Sequence, residues 1–237
     1  MTTSADAEKV PVPRASIWED FVDIFVSPAS VFERRRAGKF GIPLLVFLVV
    51  FGALSFASAG ALGQAQAADS RRVMERLAAE NPQMREAMQQ SGASGAPNPI
   101  FSALGGMALM AVSVLLAGLF TWIIGKLFGA TASIGLVVMI VTYAQFPRIL
   151  QQIVLIVQGF LLDPSQLTSM FRVSTSPARF MDPETTAMPM LIAASRLDPF
   201  LLWSTALIAV GLYVIGGLSK AEAAAVALII WVLGKMT

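Results

Sequence analysis

The sequence predicts an all-α polytopic membrane bundle with five transmembrane helices, the N-terminus cytoplasmic and the C-terminus outside. Three observations carry that expectation. Of 237 residues, 56% are hydrophobic and 14% charged, whereas soluble domains carry roughly 25% charged residues. The mean hydropathy is +0.70. Apolar runs recur along the chain at lengths that suit helices crossing ~30 Å of hydrocarbon, for which about 20 residues are needed.

The N-terminal segment, 1–39, is the expected cytoplasmic part. Its first fifteen residues are polar and proline-containing, a composition that favours disorder. SIWEDFVDIFV opens with Ser16 and carries Glu19 three residues on, the spacing of a capping box. Trp18, Phe21, Val22 and Phe25 share a helical face, so a short amphipathic helix is expected, lying on the membrane surface or packed on the protein's own cytoplasmic side. Ser27-Pro28 then has the form of an N-cap and first-turn proline for a second helix, SPASVFERRRAG.

The transmembrane domain, 40–237, is expected to hold spans at about 40–62, 99–125, 133–158, 198–217 and 220–236. The last is only just long enough, reaching ~25 Å at 1.5 Å per residue. Its start is marked by Ser219 and Glu222, a second capping-box spacing. Asp198-Pro199 marks the start of the fourth span just as clearly. Arg34, Arg35, Arg36 and Lys39 lie directly before the first span and place the N-terminus in the cytoplasm. Lys126 and Lys220, in the short second-to-third and fourth-to-fifth turns, agree with that side. The longer connections at 69–90 and 163–197 would face outside, where acids offset their arginines. Within the second of these, MDPETTAMPMLIAASRL ends in a stretch suited to an interfacial helix. Trp122, Trp203 and Trp231 fall near span ends, as interfacial tryptophans do.

Composition also excludes chemistry. The chain contains no histidine and no cysteine. That removes zinc and haem ligation by these residues, disulfides, and Ser-His-Asp or Cys-His catalysis. No metal site, no cofactor and no catalytic set is expected. The spans contain no internal carboxylate of the kind a proton relay uses, and no phosphate-binding or dinucleotide fingerprint is present. The formal charge of +2 is too small and scattered for a nucleic-acid partner.

The most unusual stretch is VTYAQFPRIL, within the third span. Gln145, Arg148 and Gln152 fall on one arc of a helix, near Thr142. A charged arginine facing lipid would be costly, so this arc should face other helices, a water-filled crevice, or headgroups reached by snorkelling. Pro147 removes a backbone hydrogen bond and should kink the span. In the second span Ser113, Ala117, Thr121, Gly125 and Gly129 recur at intervals of four, a small-residue stripe suited to close helix approach.

These landmarks, in order, resemble the Yip1 domain family in its bacterial branch. FVSPASVFERRRAG precedes the first span. TYAQFPRIL is similar to the family's aromatic-x-x-x-proline element. LDPFLLWSTALIAVGLYVIGGLSKAEAAAVALIIWVL resembles its terminal hairpin, with an acidic-aromatic start, a Leu-Ser-Lys turn and an Ala-rich last helix ending in tryptophan. The resemblance implies five helices and a cytoplasmic N-terminus. Eukaryotic members act in vesicle traffic and associate with prenylated Rab GTPases and with one another. Their Asp-Leu-Tyr-Gly-Pro element is absent here, so the resemblance does not extend to a Rab-type partner.

The expected function is a non-enzymatic scaffold or adaptor that binds another membrane protein or itself, or organises lipid, in a bacterial inner membrane. The alternative is a channel or accessory subunit of an export system, with Gln145 and Arg148 lining the path. Contact candidates are Trp18, the basic patch Arg34, Arg35, Arg36 and Lys39, and the element Tyr143, Gln145, Pro147, Arg148 and Gln152.

Overall fold

The computed structural model describes residues 16–81 and 99–234, and every regular element among them is helical. The expectations for 1–15 and for the part of the 69–90 connection beyond residue 81 lie outside those residues. Helix α1 (Ile17–Val26) starts with the predicted capping box of Ser16 and Glu19. Helix α2 (Pro28–Arg34) follows at once, with Pro28 in its first turn.

Helix α3 (Gly41–Glu80) is a single helix of 40 residues. At 1.5 Å per residue it is about 60 Å long, roughly twice the hydrocarbon thickness. The helix runs on past the expected span end near residue 62 and through the first part of the 69–90 connection, up to residue 80. The residues from 64 to 80 are rich in Ala, Gln, Arg and Glu and contain neither Gly nor Pro, so nothing local stops the helix.

Helix α4 (Pro99–Leu127) runs back along α3. Its chain reverses at Gly129, whose φ of 89° is left-handed, and the Ala130 N–H closes onto the Gly125 carbonyl at 2.9 Å. Helices α5 (Ile134–Ala144) and α6 (Pro147–Leu161) make up the third span, broken at the proline as predicted. A small layer follows: a 3-10 turn at Pro164–Gln166, α7 (Met170–Val173), a second 3-10 turn at Pro177–Phe180, and α8 (Met188–Ser195). Helices α9 (Pro199–Ile215) and α10 (Lys220–Leu233) form the closing antiparallel pair. Ser219 and Glu222 make the predicted capping box, and Asp198 caps α9.

Among the described residues three helical stretches are long and apolar enough to cross a membrane: Gly41–Glu75, Leu104–Leu127 and Ile134–Leu161, the last made of α5 and α6 together. A fourth candidate is the pair α8 and α9, bent by 57°. Helix α10 has 14 residues, about 21 Å of helix, which is short for a crossing on its own.

The chain gathers its connections at two ends. At one, Gly38 abuts the start of α5 at Leu136, the Thr131 N–H donates to the Gly216 carbonyl (3.1 Å), and the Arg36 Nη2 donates to the Val214 carbonyl (3.3 Å). At the other end Asp69 on α3 accepts from Ser169 Oγ (2.7 Å) and from the Met170 N–H (2.8 Å). There Arg196 donates to the carbonyls of Trp231 and Val232, and its own carbonyl accepts from Trp231 Nε1 at 3.3 Å. Arg36 and Arg196 thus serve the last turns of α9 and α10 respectively, where helical carbonyls lack intrahelical donors. Arg196→Ala is expected to fray the end of α10 at a cost of about 1–2 kcal/mol. Faster hydrogen exchange in its last turn, with α9 unchanged, is the readout.

The small-residue stripe of α4 is corrected in part. Thr121 and Gly125 are buried and Ala117 is half-buried, but Ser113 is exposed, and Gly129 lies beyond the helix end. At ~100° per residue an interval of four advances ~40°, so a stripe of five positions winds well around the helix. The close approach falls instead at Gly118, where a Cβ would lie 2.7 Å from Val138 Cγ2 of α5. Gly211 of α9 meets Ile140 in the same way, and Gly159 of α6 meets Ala61 and Leu62 of α3.

Candidate functional site

The third span breaks where its backbone can best accommodate it. Gln145 and Phe146 donate to the carbonyls of Thr142 and Tyr143, and Arg148 and Ile149 donate to those of Gln145 and Phe146. These tighter bonds carry the chain around Pro147, which has no N–H to lose. The break turns Tyr143 and Phe146 toward the N-terminal helices. Phe146 stacks on Phe21 of α1 (centroids 5.0 Å) and on Tyr143 (5.8 Å), and lies 6.0 Å from Phe47 of α3. Phe32 of α2 meets the Tyr143 ring edge-on at 6.5 Å. Ring pairs of this kind add about 0.5–1.5 kcal/mol each beyond the area they bury.

Within this aromatic shell lies a carboxylate. Asp20 is fully buried. Its Oδ1 accepts from Arg34 Nη2 (2.8 Å) and Nε (3.2 Å). Its Oδ2 accepts from Arg35 Nε and from the Tyr143 hydroxyl (3.2 Å). Arg34 also pairs with Asp23 at 2.6 Å. Two carboxylates thus face two guanidiniums, and the buried charge is compensated by ion pairs and by a phenolic donor, which such burial requires. Tyr143→Phe is expected to cost about 1–2 kcal/mol, since it removes a bond to a charged group. Chemical unfolding in detergent checks the value, and a double-mutant cycle with Asp20→Asn isolates the pair.

The structure therefore joins Trp18's helix, Arg34, Arg35 and Tyr143, which the sequence placed in three separate groups. It does so through Asp20, Phe21 and Phe146, which sequence reasoning did not single out as contact residues. The available signal was the position of Asp20 beside Ile24, one turn on, on the side of α1 away from Trp18. The apolar arc of Trp18, Phe21, Val22 and Phe25 is split: Phe21 and Phe25 pack inward, whereas Trp18, Val22 and Val26 are 67%, 65% and 75% exposed. Phe25 reaches Trp203 of α9 at 5.5 Å. Arg36 is spent on the end of α9, and Lys39 is exposed.

The polar arc of the third span is oriented partly inward. Gln145, Arg148 and Gln152 are all half-buried, and Pro147 is buried. Arg148 Nη1 lies 3.5 Å from Gln145 Oε1, and Asp198 at the start of α9 is buried and hydrogen-bonded by Thr175. Among the described residues no group of acids has the arrangement of a metal site.

The Yip1 domain model matches residues 22–236, nearly the whole chain. The chain belongs to the Yip1 domain family. With its long apolar helices, this makes it an integral membrane protein. No curated protein and no solved structure matches it. The Yip1 match takes in Arg34, Arg35, Tyr143 and Phe146 but begins two residues after Asp20, so the carboxylate that ties the N-terminal hairpin of α1 and α2 together lies outside the matched region.

Proposed function

We propose that this Yip1 domain protein is a non-enzymatic scaffold or adaptor that presents its N-terminal hairpin to another membrane protein or to a second copy of itself. It crosses a bacterial inner membrane five times, with α3, α4, the broken α5–α6 pair, α9 and α10 as crossings, the N-terminus cytoplasmic and the C-terminus outside. The supporting pattern is the grouping of Arg36, Lys39, Lys126 and Lys220 near the end that gathers the short turns. The 14-residue α10 crosses as part of a tight pair, with Arg196 supplying donors to its last carbonyls.

One observation carries the binding role. Asp20 fixes α1 so that its inward face is used up by the bundle while Trp18, Val22 and Val26 form an outward ridge one helical turn apart at each step. A ridge held by buried ion pairs is pre-organised, which lowers the ordering cost of binding. The test is photocrosslinking in intact cells from position 22, with exposed position 56 on α3 as the lipid-facing reference. A discrete protein adduct from 22 and none from 56 is expected. The same lipid-only products from both positions would contradict the reading.

A further inference from the structure

At the opposite end from the hairpin, a cleft of about 500 Å³ opens between the end of α6 and the small layer that follows it. Arg172 and Arg179 line it together with Ser165, Gln166 and Thr168, so donors converge from three separate turns of chain. Arg179 makes no ion pair among the described residues; its guanidinium lies 5.6 Å from the centre of the Phe180 ring. Among the described residues Arg172 pairs with one acid, Asp182, at the long distance of 3.9 Å and with both side chains 40% or more exposed. These two cations are therefore largely unspent, in contrast to Arg34 and Arg35.

The cleft is built on fixed elements. The turn bearing Arg179 is pinned by Ala178, which is fully buried, and by Ser176, whose hydroxyl accepts the Ala178 N–H. The segment before Arg172 is tied to α3 through Asp69, and Arg72 donates to the Thr168 carbonyl at 2.9 Å. The rim is apolar. Leu162 lines the cleft, and Phe160, Leu161 and Phe180 beside it are 71%, 79% and 83% exposed. Phe160 and Leu161 lie in the last turn of α6, which belongs to a stretch long and apolar enough to cross a membrane, so a headgroup is the ligand chemistry expected at its end.

We propose that this cleft binds the phosphodiester headgroup of an anionic phospholipid. Arg172 and Arg179 pair with the phosphate. The hydroxyls of Ser165 and Thr168 and the amide of Gln166 meet its remaining oxygens and the glycerol. The acyl chains lie along Phe160 and Leu161. A free phosphate would use the arginines but not this apolar rim, which is the reason for choosing a lipid. The site shares no residue with the N-terminal hairpin and stands independently of the proposed function.

The chain has no cysteine, so Pro177→Cys, exposed on the Arg179 turn but outside the cleft lining, gives a single reporter position for an environment-sensitive fluorophore on the full-length protein in detergent. Dihexanoyl phosphatidylglycerol is expected to give a saturable shift. Dihexanoyl phosphatidylcholine should need about tenfold more, because its quaternary amine opposes the two cations. Inorganic phosphate should bind at least as weakly. The Arg172→Gln/Arg179→Gln variant should lose the preference for phosphatidylglycerol while keeping its helicity and unfolding midpoint. If the pair disturbs folding, Arg179→Gln alone should weaken binding about threefold or more. Equal responses to the two lipids, unchanged binding in folded variants, or phosphate binding as tightly as the lipid would each overturn the proposal.

Discussion

Asp20→Ala is expected to destabilise the bundle by about 2–4 kcal/mol, more than any other single side-chain truncation in the hairpin. Removing one partner of a buried pair leaves the others uncompensated, and such losses typically run to about 3–5 kcal/mol. The lower range applies because Arg34 and Arg35 keep 29% and 27% of their side chains in contact with solvent. The Tyr143 hydroxyl has no such outlet: the residue is fully buried, and it would lose its acceptor. The consequence should be local as well as global. With Asp20 gone, α1 and α2 are held to α5 and α9 by the apolar contacts of Phe21, Ile24, Phe25, Val31 and Phe32 and by Arg36. A cysteine at buried position 144, alkylated slowly in the parent, should then react at least tenfold faster with maleimide. Asp20→Asn should fall between, since it keeps an acceptor but not the charge. Unchanged alkylation in Asp20→Ala would mean that the apolar contacts suffice and that the carboxylate does not fix the hairpin.

Gly159→Ala is expected to destabilise the packing of α6 on α3 by about 1–3 kcal/mol, the usual range for overpacking. An added Cβ would meet Leu62 Cδ2 at 2.6 Å and the Ala61 carbonyl oxygen at 2.9 Å. The leucine can rotate away, but the carbonyl belongs to the helix backbone and cannot. Gly60→Ala supplies the contrast. It lies next to Ala61, yet a Cβ there meets nothing within 4 Å, so the substitution should be neutral or stabilise by up to about 1 kcal/mol through helix propensity. Thermal unfolding of both variants in the same detergent separates tight contact from a general intolerance of alanine. Similar midpoints for the two would contradict the close α3–α6 approach.

Local signals in the sequence were read well where a residue acts on its own backbone. Both capping boxes, the Pro28 and Pro199 helix starts and the Pro147 break depend on neighbours within four positions, and each is present. The extension of α3 to Glu80 was less legible. Polarity after residue 63 marks the end of the apolar run but not of the helix, because helix propensity there is high and no stop signal intervenes before Asn81-Pro82. The site was hardest to read because its bonds are long-range. Asp20 and Tyr143 lie 123 positions apart, and an acid on an amphipathic helix ordinarily marks the solvent side. Nothing local reveals that two arginines fourteen and fifteen residues later turn back to cover it. The cleft at Arg172 and Arg179 was hidden for a related reason. Its residues belong to a connection without helical periodicity, and only the fold brings them together.

The proposed function depends on the bundle lying across the bilayer with the hairpin end inside and the Arg196 end outside. Compartment-specific reporters fused in turn to the two termini test that arrangement most directly. The N-terminal fusion should report from the cytoplasm and the C-terminal fusion from the opposite side, as five crossings require. If both report from the cytoplasm, α10 does not cross, the number of passes is even, and the arrangement proposed here is contradicted.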